Sequence, residues 1–406
     1  MKLYSKYHYS IFLAISICII SRFLLIDLYG DTNLDNEWST LFSNLYNHGA
    51  FSYRSFDNKL IPSVYMPPLY VYYIYFIKLI IPDSYNLVRS VLISQIFLAS
   101  IAVYYFFKIN LIFFSKKMSL ISTYIFIFFP LNILSSLQIS SITLQIFLNI
   151  MFIYTTLQII NNYKKNFSVI LFSIISGLTI LLRGEFVLIF IFSVLYLIFL
   201  KKINFKQVSI IIISALIILS PYLTRNFIVF EKITITKSFG YNLWKGNNID
   251  STVEGSESLK AFQTGGIDKK IKAIPKNNLY DFNYDKIFLE NSLKFIQENP
   301  ILFIERYIKK FLSFSFFNLN SNYPKYYHPL NIIPLIVISI IFTLSLIFCY
   351  QKKSETYNYL ILNLLLTISI FSVFFILPRY KLMIIPIQLI LINFFISFVL
   401  KLYKNR

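Results

Sequence analysis

Three acidic residues stand close together just after the first hydrophobic stretch of this 406-residue chain. Asp31, Asp35 and Glu37 follow an apolar run that ends at about Leu28. A carboxylate in such a place can accept the proton of an attacking hydroxyl or amine, provided that it lies within hydrogen-bond reach. The spacing of Asp35 and Glu37 could alternatively hold a divalent cation, since hard cations take oxygen ligands. The spacing leaves both chemistries open.

A second group of candidates consists of five basic residues that stand far apart in the sequence. Arg22 lies inside the first hydrophobic stretch, Arg183 and Arg225 lie at the ends of others, and Arg379 and Lys381 separate the last two. An arginine within a membrane span is costly and needs a partner, and a guanidinium binds phosphate through two parallel hydrogen bonds. Each residue alone also fits a topological anchor. Together they indicate an anionic lipid headgroup.

Several kinds of site have no support in the sequence. The chain has no glycine-rich phosphate loop, nucleophile elbow or dinucleotide fingerprint, so a nucleotide substrate is not indicated. The two cysteines, Cys18 and Cys349, fall in separate hydrophobic stretches and predict neither a disulfide framework nor a metal cluster. We therefore assign no certain cofactor, and a divalent cation stays an open alternative. Energy for any group transfer would have to come from a donor already in the membrane.

The composition predicts an all-α polytopic membrane protein. The chain is 57% hydrophobic and only 14% charged, with a mean hydropathy of +0.65, which is too apolar for one soluble core. Its formal charge of +20 is typical of basic loops that face anionic lipid on the cytoplasmic side of a membrane. We therefore expect membrane lipid, and not nucleic acid, as the partner of this charge.

About ten stretches could cross the ~30 Å hydrocarbon layer. They lie near 10–28, 88–108, 118–137, 139–160, 167–182, 186–200, 207–223, 329–350, 357–378 and 381–401. If the amino terminus is cytoplasmic, all the short basic loops and the carboxyl terminus also fall on the cytoplasmic side. Every acidic residue except Glu355 then lies outside or at the outer end of a span. The sequence thus predicts a multi-pass protein of the cytoplasmic membrane.

The same arrangement divides the chain into three parts. We predict an amino-terminal catalytic membrane module at 1–223, which includes a first outer loop at 29–87. An extracytoplasmic loop or lid follows at 224–328, and the carboxy-terminal membrane helices lie at 329–406. Residues 67–81 are too short for a span and predict a juxtamembrane helix along the outer interface.

The second outer region has its own pattern. It begins with a turn-rich stretch from Gly240 to Gly266 and continues as a helix from Asp285 to Phe317 that is interrupted at Pro300. Apolar residues of this helix could form one face, which is typical of a lid that rests on the membrane surface.

Several short motifs follow one another along the chain. They are Asp35-Asn36-Glu37, Tyr65-Met66-Pro67-Pro68, Leu182-Arg183-Gly184-Glu185, Pro221-Tyr222 with Arg225-Asn226, Gly240-Tyr241-Asn242-Leu243-Trp244 with Gly246-Asn247-Asn248, Glu298-Asn299-Pro300, and Arg379-Tyr380. With these motifs the chain resembles the GT-C superfamily of integral-membrane glycosyltransferases. The likeness is to the family 39-like group, which includes protein O-mannosyltransferases and the aminoarabinose transferase of lipid A.

This resemblance implies a polyprenyl-phosphate sugar as donor, attack on the anomeric carbon with inversion, and a first-loop carboxylate as base. Asp35 or Glu37 would be that base, with Asp31 in reserve. The residues that bind the donor phosphate would be Arg22, Arg183, Arg225, Arg379 and Lys381. The residues that contact the substrate or belong to the lid would be Glu185, Tyr241, Asn242, Trp244 and Asn247. Family members commonly have adjacent Asp-Glu, whereas Asn36 intervenes in this chain, so the choice of base stays open. Metal dependence varies within the superfamily, and no metal is carried over.

We therefore expect a glycosyltransferase that moves a sugar to a lipid, glycan or protein acceptor on the outer face of the cytoplasmic membrane. A lipid-linked polysaccharide polymerase or ligase is one alternative. A lipid-sugar flippase or transporter is another; it would need charged or broken helices at mid-membrane depth, and we expect few of these between residues 88 and 223. The sequence leaves the sugar, the acceptor and the oligomeric state undetermined.

Overall fold

The computed structural model describes residues 2–82, 85–163, 165–348 and 354–404. Most of these residues are helical, which confirms the predicted all-α class. The only sheet among them is an antiparallel hairpin of β1 (Ser52–Phe56) and β2 (Lys59–Pro62).

Helices of very different lengths make up most of the described chain. In chain order they are α1 (Lys2–Tyr29), α2 (Asn36–His48), α3 (Leu69–Ile80), α4 (Leu87–Phe113), α5 (Lys116–Phe128), α6 (Pro130–Ser136), α7 (Ile142–Ile160), α8 (Lys165–Leu182), α9 (Phe186–Phe199), α10 (Phe205–Phe230), α11 (Phe239–Gly246), α12 (Leu259–Gln263), α13 (Ile267–Lys272), α14 (Tyr280–Glu298), α15 (Pro300–Ser315), α16 (Pro329–Phe348), α17 (Glu355–Ser372) and α18 (Ile385–Lys404). Two 3₁₀ turns lie at Thr264–Gly266 and Pro378–Met383.

Six of the described helices are long and apolar enough to cross a membrane, namely α1, α4, α7, α10, α16 and α18. The bent pair α5 and α6 makes a seventh if it is counted as one span. Such a set is that of a multi-pass membrane protein. The predicted short pair is helical as α8 and α9, but both helices are shorter than these six. Helix α3 has 12 residues and, at about 1.5 Å per residue, cannot span the hydrocarbon layer.

The predicted span at 118–137 is broken into α5 and α6, which meet at an angle of 58°. Pro130 opens α6, and a proline cannot continue the hydrogen bonding of the helix before it. Side chains satisfy the carbonyls left free there. Asn132 Nδ2 donates to Phe126 O at 2.8 Å and Arg22 Nη2 donates to Ile127 O at 3.3 Å. We expected few broken helices between residues 88 and 223, and this bent pair is one such break.

Two acidic residues, Glu355 and Glu185, mark opposite ends of the bundle. Lys202 Nζ lies 2.8 Å from the Glu355 carboxylate, so the one acidic residue predicted to be cytoplasmic lies beside a predicted cytoplasmic basic loop. Glu185 stands at the amino-terminal end of α9, whereas Lys202 lies just beyond its carboxy-terminal end. The two acids therefore lie at opposite ends of the same helix.

The region at 224–328, which we predicted to be extracytoplasmic, is more helical than expected. The turn-rich stretch expected from Gly240 begins instead as helix α11, which packs on α14. A Cβ added at Gly240 would lie 2.2 Å from Asp285 O, so the glycine permits this close approach. The break at Pro300 is confirmed, since α15 begins there. Helix α14 begins at Tyr280, earlier than expected, because Tyr280 and Phe282 are buried against the hairpin and α10.

Helix α15 leaves part of its predicted apolar face exposed and buries a lysine. Lys310 and Phe314 are buried, whereas Ile304 and Ile308 are 56% and 50% exposed. Lys310 Nζ donates to four oxygens, and the shortest of these bonds is 2.6 Å to Phe374 O. The lysine therefore holds α15 against the end of α17 and leaves an apolar stripe facing outward.

Candidate functional site

A cavity of about 590 Å³ lies at the end of the bundle opposite Glu355. Its wall comes from the start of α2, strand β1, the segment before α3, the α6–α7 loop and the α8–α9 turn. Helix α11, the loop that follows it and the Pro378–Met383 turn complete the wall. Segments far apart in sequence thus meet at one polar site. Five of the residues singled out in the sequence lie in its wall together with Glu37: Arg183, Glu185, Tyr241, Asn242 and Arg379.

The structure separates the three predicted acids. Glu37 lies in the first turn of α2 and lines the cavity, where the amino-terminal end of the helix favours negative charge. Asp35 is the exposed amino-terminal cap residue of α2, and its side chain makes no capping hydrogen bond. Asp31 Oδ2 accepts from Ile139 N at 2.6 Å, so it fixes the α6–α7 loop. Of the three, Glu37 is the acid placed in the cavity wall.

Arg183 lies in the cavity with hydrogen-bonding capacity to spare. Its guanidinium carbon is 4.5 Å from the ring centroid of Tyr380 and 5.7 Å from that of Phe371, which are cation–π distances. Its buried Nε has no hydrogen-bond partner, and buried donors are normally paired. Among the described residues, no carboxylate forms an ion pair with it. The side chain is held by aromatic rings and is free to bind an anion.

Arg379 and Glu185 also line the cavity. Arg379 is exposed on the Pro378–Met383 turn, directly before Tyr380. Glu185 is half-buried at the start of α9, and its side chain makes no capping hydrogen bond. In the described parts of the chain, neither residue forms an ion pair. Arg183, Arg379, Glu37 and Glu185 thus all line the cavity, and none of the four forms an ion pair within the described chain.

The charged residues in the wall formed by α11 and the loop after it form an ion pair with each other. Lys245 Nζ lies 2.5 Å from Glu257 Oε1, and Tyr241 also hydrogen-bonds to Glu257. Burial acts to raise the pKa of Glu257, but the hydrogen bonds from Lys245 and Tyr241 and the charge of Lys245 outweigh it and hold the pKa below its usual value. Burial, with the charges of Tyr65 and Glu257, raises the pKa of Tyr241. Lys245 and Glu257 therefore neutralise each other in this wall.

Glu254 closes one edge of the cavity, although the sequence did not single it out. Its carboxylate accepts from Asn318 Nδ2 at 3.0 Å, from Ser321 Oγ at 2.6 Å and from Asn322 N at 2.5 Å. These bonds hold the segment between α15 and α16, which places Tyr323 in the wall.

Three of the predicted phosphate-binding residues bind protein groups outside the cavity. Arg22 is fully buried and donates to Ser136 Oγ at 3.1 Å and to Cys18 O at 3.2 Å, in addition to its bond at the α5–α6 break. Arg225 donates to Ser63 O at 2.9 Å and to Phe51 O at 3.1 Å, on either side of the hairpin. Lys381 is buried and donates to Phe316 O. The geometry gives each of them a structural partner.

Two predicted lid residues also point away from the cavity. Trp244 is buried with its ring centroid 5.0 Å from that of Phe262 and 4.8 Å from that of Phe288. Asn247 Nδ2 donates to Leu243 O at 2.8 Å and to Val373 O at 2.9 Å. They stabilise the outer region and its contact with α17.

The structure contains an aromatic wall that could not be assigned from the sequence. Tyr53 and Tyr65 both line the cavity with their rings stacked at 5.5 Å and 7°. The Arg54 guanidinium lies 5.3 Å and 5.1 Å from these two ring centroids and forms a partly buried ion pair with Asp281. Asp281 also accepts from Ser63 Oγ at 2.7 Å, so the pair fixes the hairpin to α14. The sequence signal for this wall was the motif Tyr65-Met66-Pro67-Pro68, because its first three residues all line the cavity.

No group of three His, Cys, Asp or Glu side chains that could hold a metal ion occurs within the described ranges. A cation held between Asp35 and Glu37 stays a prediction.

Comparisons with known proteins do not assign the chain to a family. No protein-family model matches the chain, and no curated protein matches it. The resemblance to the GT-C superfamily therefore rests on the motifs and stays a prediction.

Proposed function

We propose that this protein is a GT-C-type membrane glycosyltransferase that moves a sugar from a polyprenyl-phosphate donor to an acceptor on the outer face of the cytoplasmic membrane. One observation carries the proposal. Arg183 and Arg379, which have no ion-pair partner among the described residues, share a cavity with Glu37. A carboxylate that shares a cavity with two guanidinium groups suits a reaction that takes a proton from one substrate and releases a phosphate from the other.

The proposed step follows from these roles. The acceptor oxygen attacks the anomeric carbon of the donor sugar while Glu37 takes the proton of the acceptor hydroxyl. A new carbon–oxygen bond forms, and the bond from the anomeric carbon to the phosphate oxygen breaks. The lipid phosphate leaves with that electron pair, and Arg183 and Arg379 stabilise the added negative charge. Attack from the side opposite the phosphate inverts the anomeric configuration.

The proposed topology has about ten spans with both termini in the cytoplasm. It is supported by helices at all ten predicted stretches and by the contact of Glu355 with Lys202 at the end of the bundle away from the cavity. All three predicted parts of the chain contribute to the cavity: Glu37 and Arg183 from the first, Tyr241 from the second and Arg379 from the third. An intact chain is therefore needed for activity.

A lipid-sugar flippase is the second candidate, and the α5–α6 break favours it, because transporters use broken helices inside the membrane. The buried Arg22 beside the break would fit such a path. Its bonds to Ser136, Cys18 and Ile127 leave it less free than Arg183 to bind a substrate, so transfer is the better explanation.

Reconstitution with a labelled donor separates the candidates. Purified protein in proteoliposomes would receive a radiolabelled polyprenyl-phosphate sugar and extracted membrane lipids and glycans, with products weighed by mass spectrometry. Transfer predicts an acceptor heavier by one sugar residue. A ladder of products would indicate a polymerase, and movement of labelled donor across the bilayer with no covalent product would indicate a flippase. Either result would overturn the proposal.

A further inference from the structure

The amino-terminal end of α7 opens into the cavity without a side-chain cap. Ser140, Ser141 and Ile142, at the start of this 19-residue helix, all line the cavity. The first amide groups of a helix have no partner within the helix, and the side chain of Ser141 makes no capping hydrogen bond. The helix dipole also favours negative charge at this end. The start of α7 thus has the properties of an anion site.

Two buried donors in the same cavity wall also lack a partner. The Ser140 side chain belongs to a residue that is only 8% exposed, and its Oγ makes no hydrogen bond within the described residues. Nε of Arg183 is likewise buried and without a partner there. Buried polar atoms are normally hydrogen-bonded. Two such donors in one wall indicate that a ligand completes their bonding.

Ser140 and Arg183 lie near each other because α7 and α8 form a hairpin. The two helices pack together, and only four residues separate Ile160 from Lys165 in sequence, so the helices run antiparallel. They have 19 and 18 residues, which brings the start of α7 level with the end of α8, where Arg183 follows Leu182. Packed helix axes lie about 8–10 Å apart. One ligand can therefore contact both side chains.

The loop that carries Ser140 is fixed by other groups. Asp31 Oδ2 accepts from Ile139 N at 2.6 Å, and Gln95 Nε2 donates to Gln138 O at 2.9 Å. These bonds hold the backbone on the amino-terminal side of Ser140 and leave its hydroxyl unused. Removing that hydroxyl should therefore not weaken the fold.

We propose that Ser140, Arg183 and the first amide groups of α7 bind one phosphate group. The donors are of three kinds and come from two helices. A phosphate monoester offers three strong acceptor oxygens to them, whereas a carboxylate offers two. Phosphate at a helix amino terminus is also held by the dipole. That this phosphate belongs to the lipid donor rests on the proposed function, whereas binding of the anion does not.

A second cavity, of about 420 Å³, indicates where a chain attached to this phosphate would lie. It shares Ser140, Tyr323 and Arg379 with the first cavity. Leucines of α6 and α16 form other parts of its wall, namely Leu131, Leu134 and Leu335. A phosphate at Ser140 would thus stand between a polar cavity and one with apolar walls. The phosphate ester of an isoprenoid alcohol, with a charged head and an apolar chain, fits this arrangement.

The test measures binding and not transfer. Full-length protein in maltoside micelles, which contain no phosphate, would be titrated by isothermal calorimetry with geranyl phosphate, inorganic phosphate and geranate, a carboxylate with a similar chain. Geranyl phosphate should bind at least about tenfold more tightly than either of the others. Ser140→Ala should weaken its binding roughly tenfold, as expected for the loss of a hydrogen bond to a charged group. The melting temperature of the ligand-free variant should not fall.

Ser136→Ala is the matched control. Ser136 is also buried near the loop, but its Oγ donates to Ile133 O at 2.7 Å. This variant should melt at a lower temperature and bind geranyl phosphate within about threefold of the wild type. Glu185→Gln removes a negative charge from the turn that carries Arg183 and should tighten binding.

The outcomes separate the phosphate site from the proposed function. Unchanged affinity in Ser140→Ala, equal losses in both serine variants, or geranate bound as tightly as geranyl phosphate would overturn the phosphate site. Inorganic phosphate bound as tightly as geranyl phosphate would support the site but overturn its assignment to a lipid phosphate. If the protein binds geranyl phosphate as described but transfers no sugar, the proposed function fails and the phosphate site stands.

Discussion

The guanidinium of Arg183 lies over the ring of Tyr380, with 4.5 Å between the guanidinium carbon and the ring centroid. The ring orients the arginine without using its hydrogen-bond donors, and the buried Nε has no partner. Tyr380 directly follows Arg379, so one short turn supplies both a support for the first cation and a second cation. This relationship places two cations in one cavity, and neither has an ion-pair partner among the described residues.

Replacing Arg183 by lysine should impair the proposed transfer. Lysine keeps the charge but loses the planar fork and much of the stacking on Tyr380, and loss of a transition-state donor costs about 10²-fold in kcat. The measurement is kcat for transfer from a labelled polyprenyl-phosphate sugar in nanodiscs. Arg89→Lys is the matched control, because Arg89 forms an exposed pair with Asp27 and should leave the rate unchanged. Equal rates for both variants would remove Arg183 from the phosphate site.

The support from Tyr380 can be tested separately. Tyr380→Phe keeps the aromatic ring and should retain most of the activity, whereas Tyr380→Leu removes the cation–π contact, which is worth about 0.5–2 kcal/mol. We expect Tyr380→Leu to lower kcat/KM about tenfold, with the melting temperature little changed. If phenylalanine were as damaging as leucine, the hydroxyl and not the ring would matter, and a supporting role for the ring would be wrong.

Arg22 should behave as a structural residue and not as a donor-binding one. Arg22→Gln leaves carbonyls and a hydroxyl unsatisfied in the interior, and each such loss costs about 1–3 kcal/mol. The variant should therefore melt at a lower temperature, while kcat/KM per folded molecule stays near that of the wild type. Circular dichroism on heating and the transfer assay check the two parts. An unaltered melting temperature with lost activity would return Arg22 to the substrate site.

Lys310 should make stability depend on pH. Burial, aided by the charge of Arg306, lowers the pKa of Lys310 to about 7, whereas an unfolded lysine titrates near about 10.4. Between these values the unfolded chain binds more protons than the folded chain, so the free energy of unfolding rises with pH from about 7 to 10. In Lys310→Met that rise should be smaller. Melting temperatures at several pH values would decide, and parallel curves for the two proteins would contradict this assignment.

Motif order alone could predict part of the cavity. Four of its residues stand next to the ends or starts of helices, namely Arg183, Glu185, Tyr241 and Arg379. Charged and aromatic groups at such places mark the edge of a membrane span. The structure brings them into one wall because those breaks lie at one end of the bundle. Which end faces outward stays a prediction.

The roles of the other cations could not be predicted because they depend on tertiary contacts. Arg22, Arg225 and Lys381 are suited to phosphate by residue type, but carbonyl groups freed at helix breaks and at the hairpin bind them instead. Tyr53 and Tyr65 could not be singled out as a stacking wall from the sequence, because the chain contains 31 tyrosines and 43 phenylalanines. Only the fold shows which of these rings meet in the cavity.

The sharpest test of Glu37 as the general base compares Glu37→Gln with Asp35→Asn. Both changes remove one negative charge at nearly the same position, but Glu37 lines the cavity and Asp35 is exposed outside it. With purified protein and a labelled polyprenyl-phosphate sugar, we predict that Glu37→Gln lowers kcat by about 10²-fold or more, as expected for loss of a general base, and that Asp35→Asn stays within about threefold of the wild type. Full activity in Glu37→Gln would contradict the proposed mechanism.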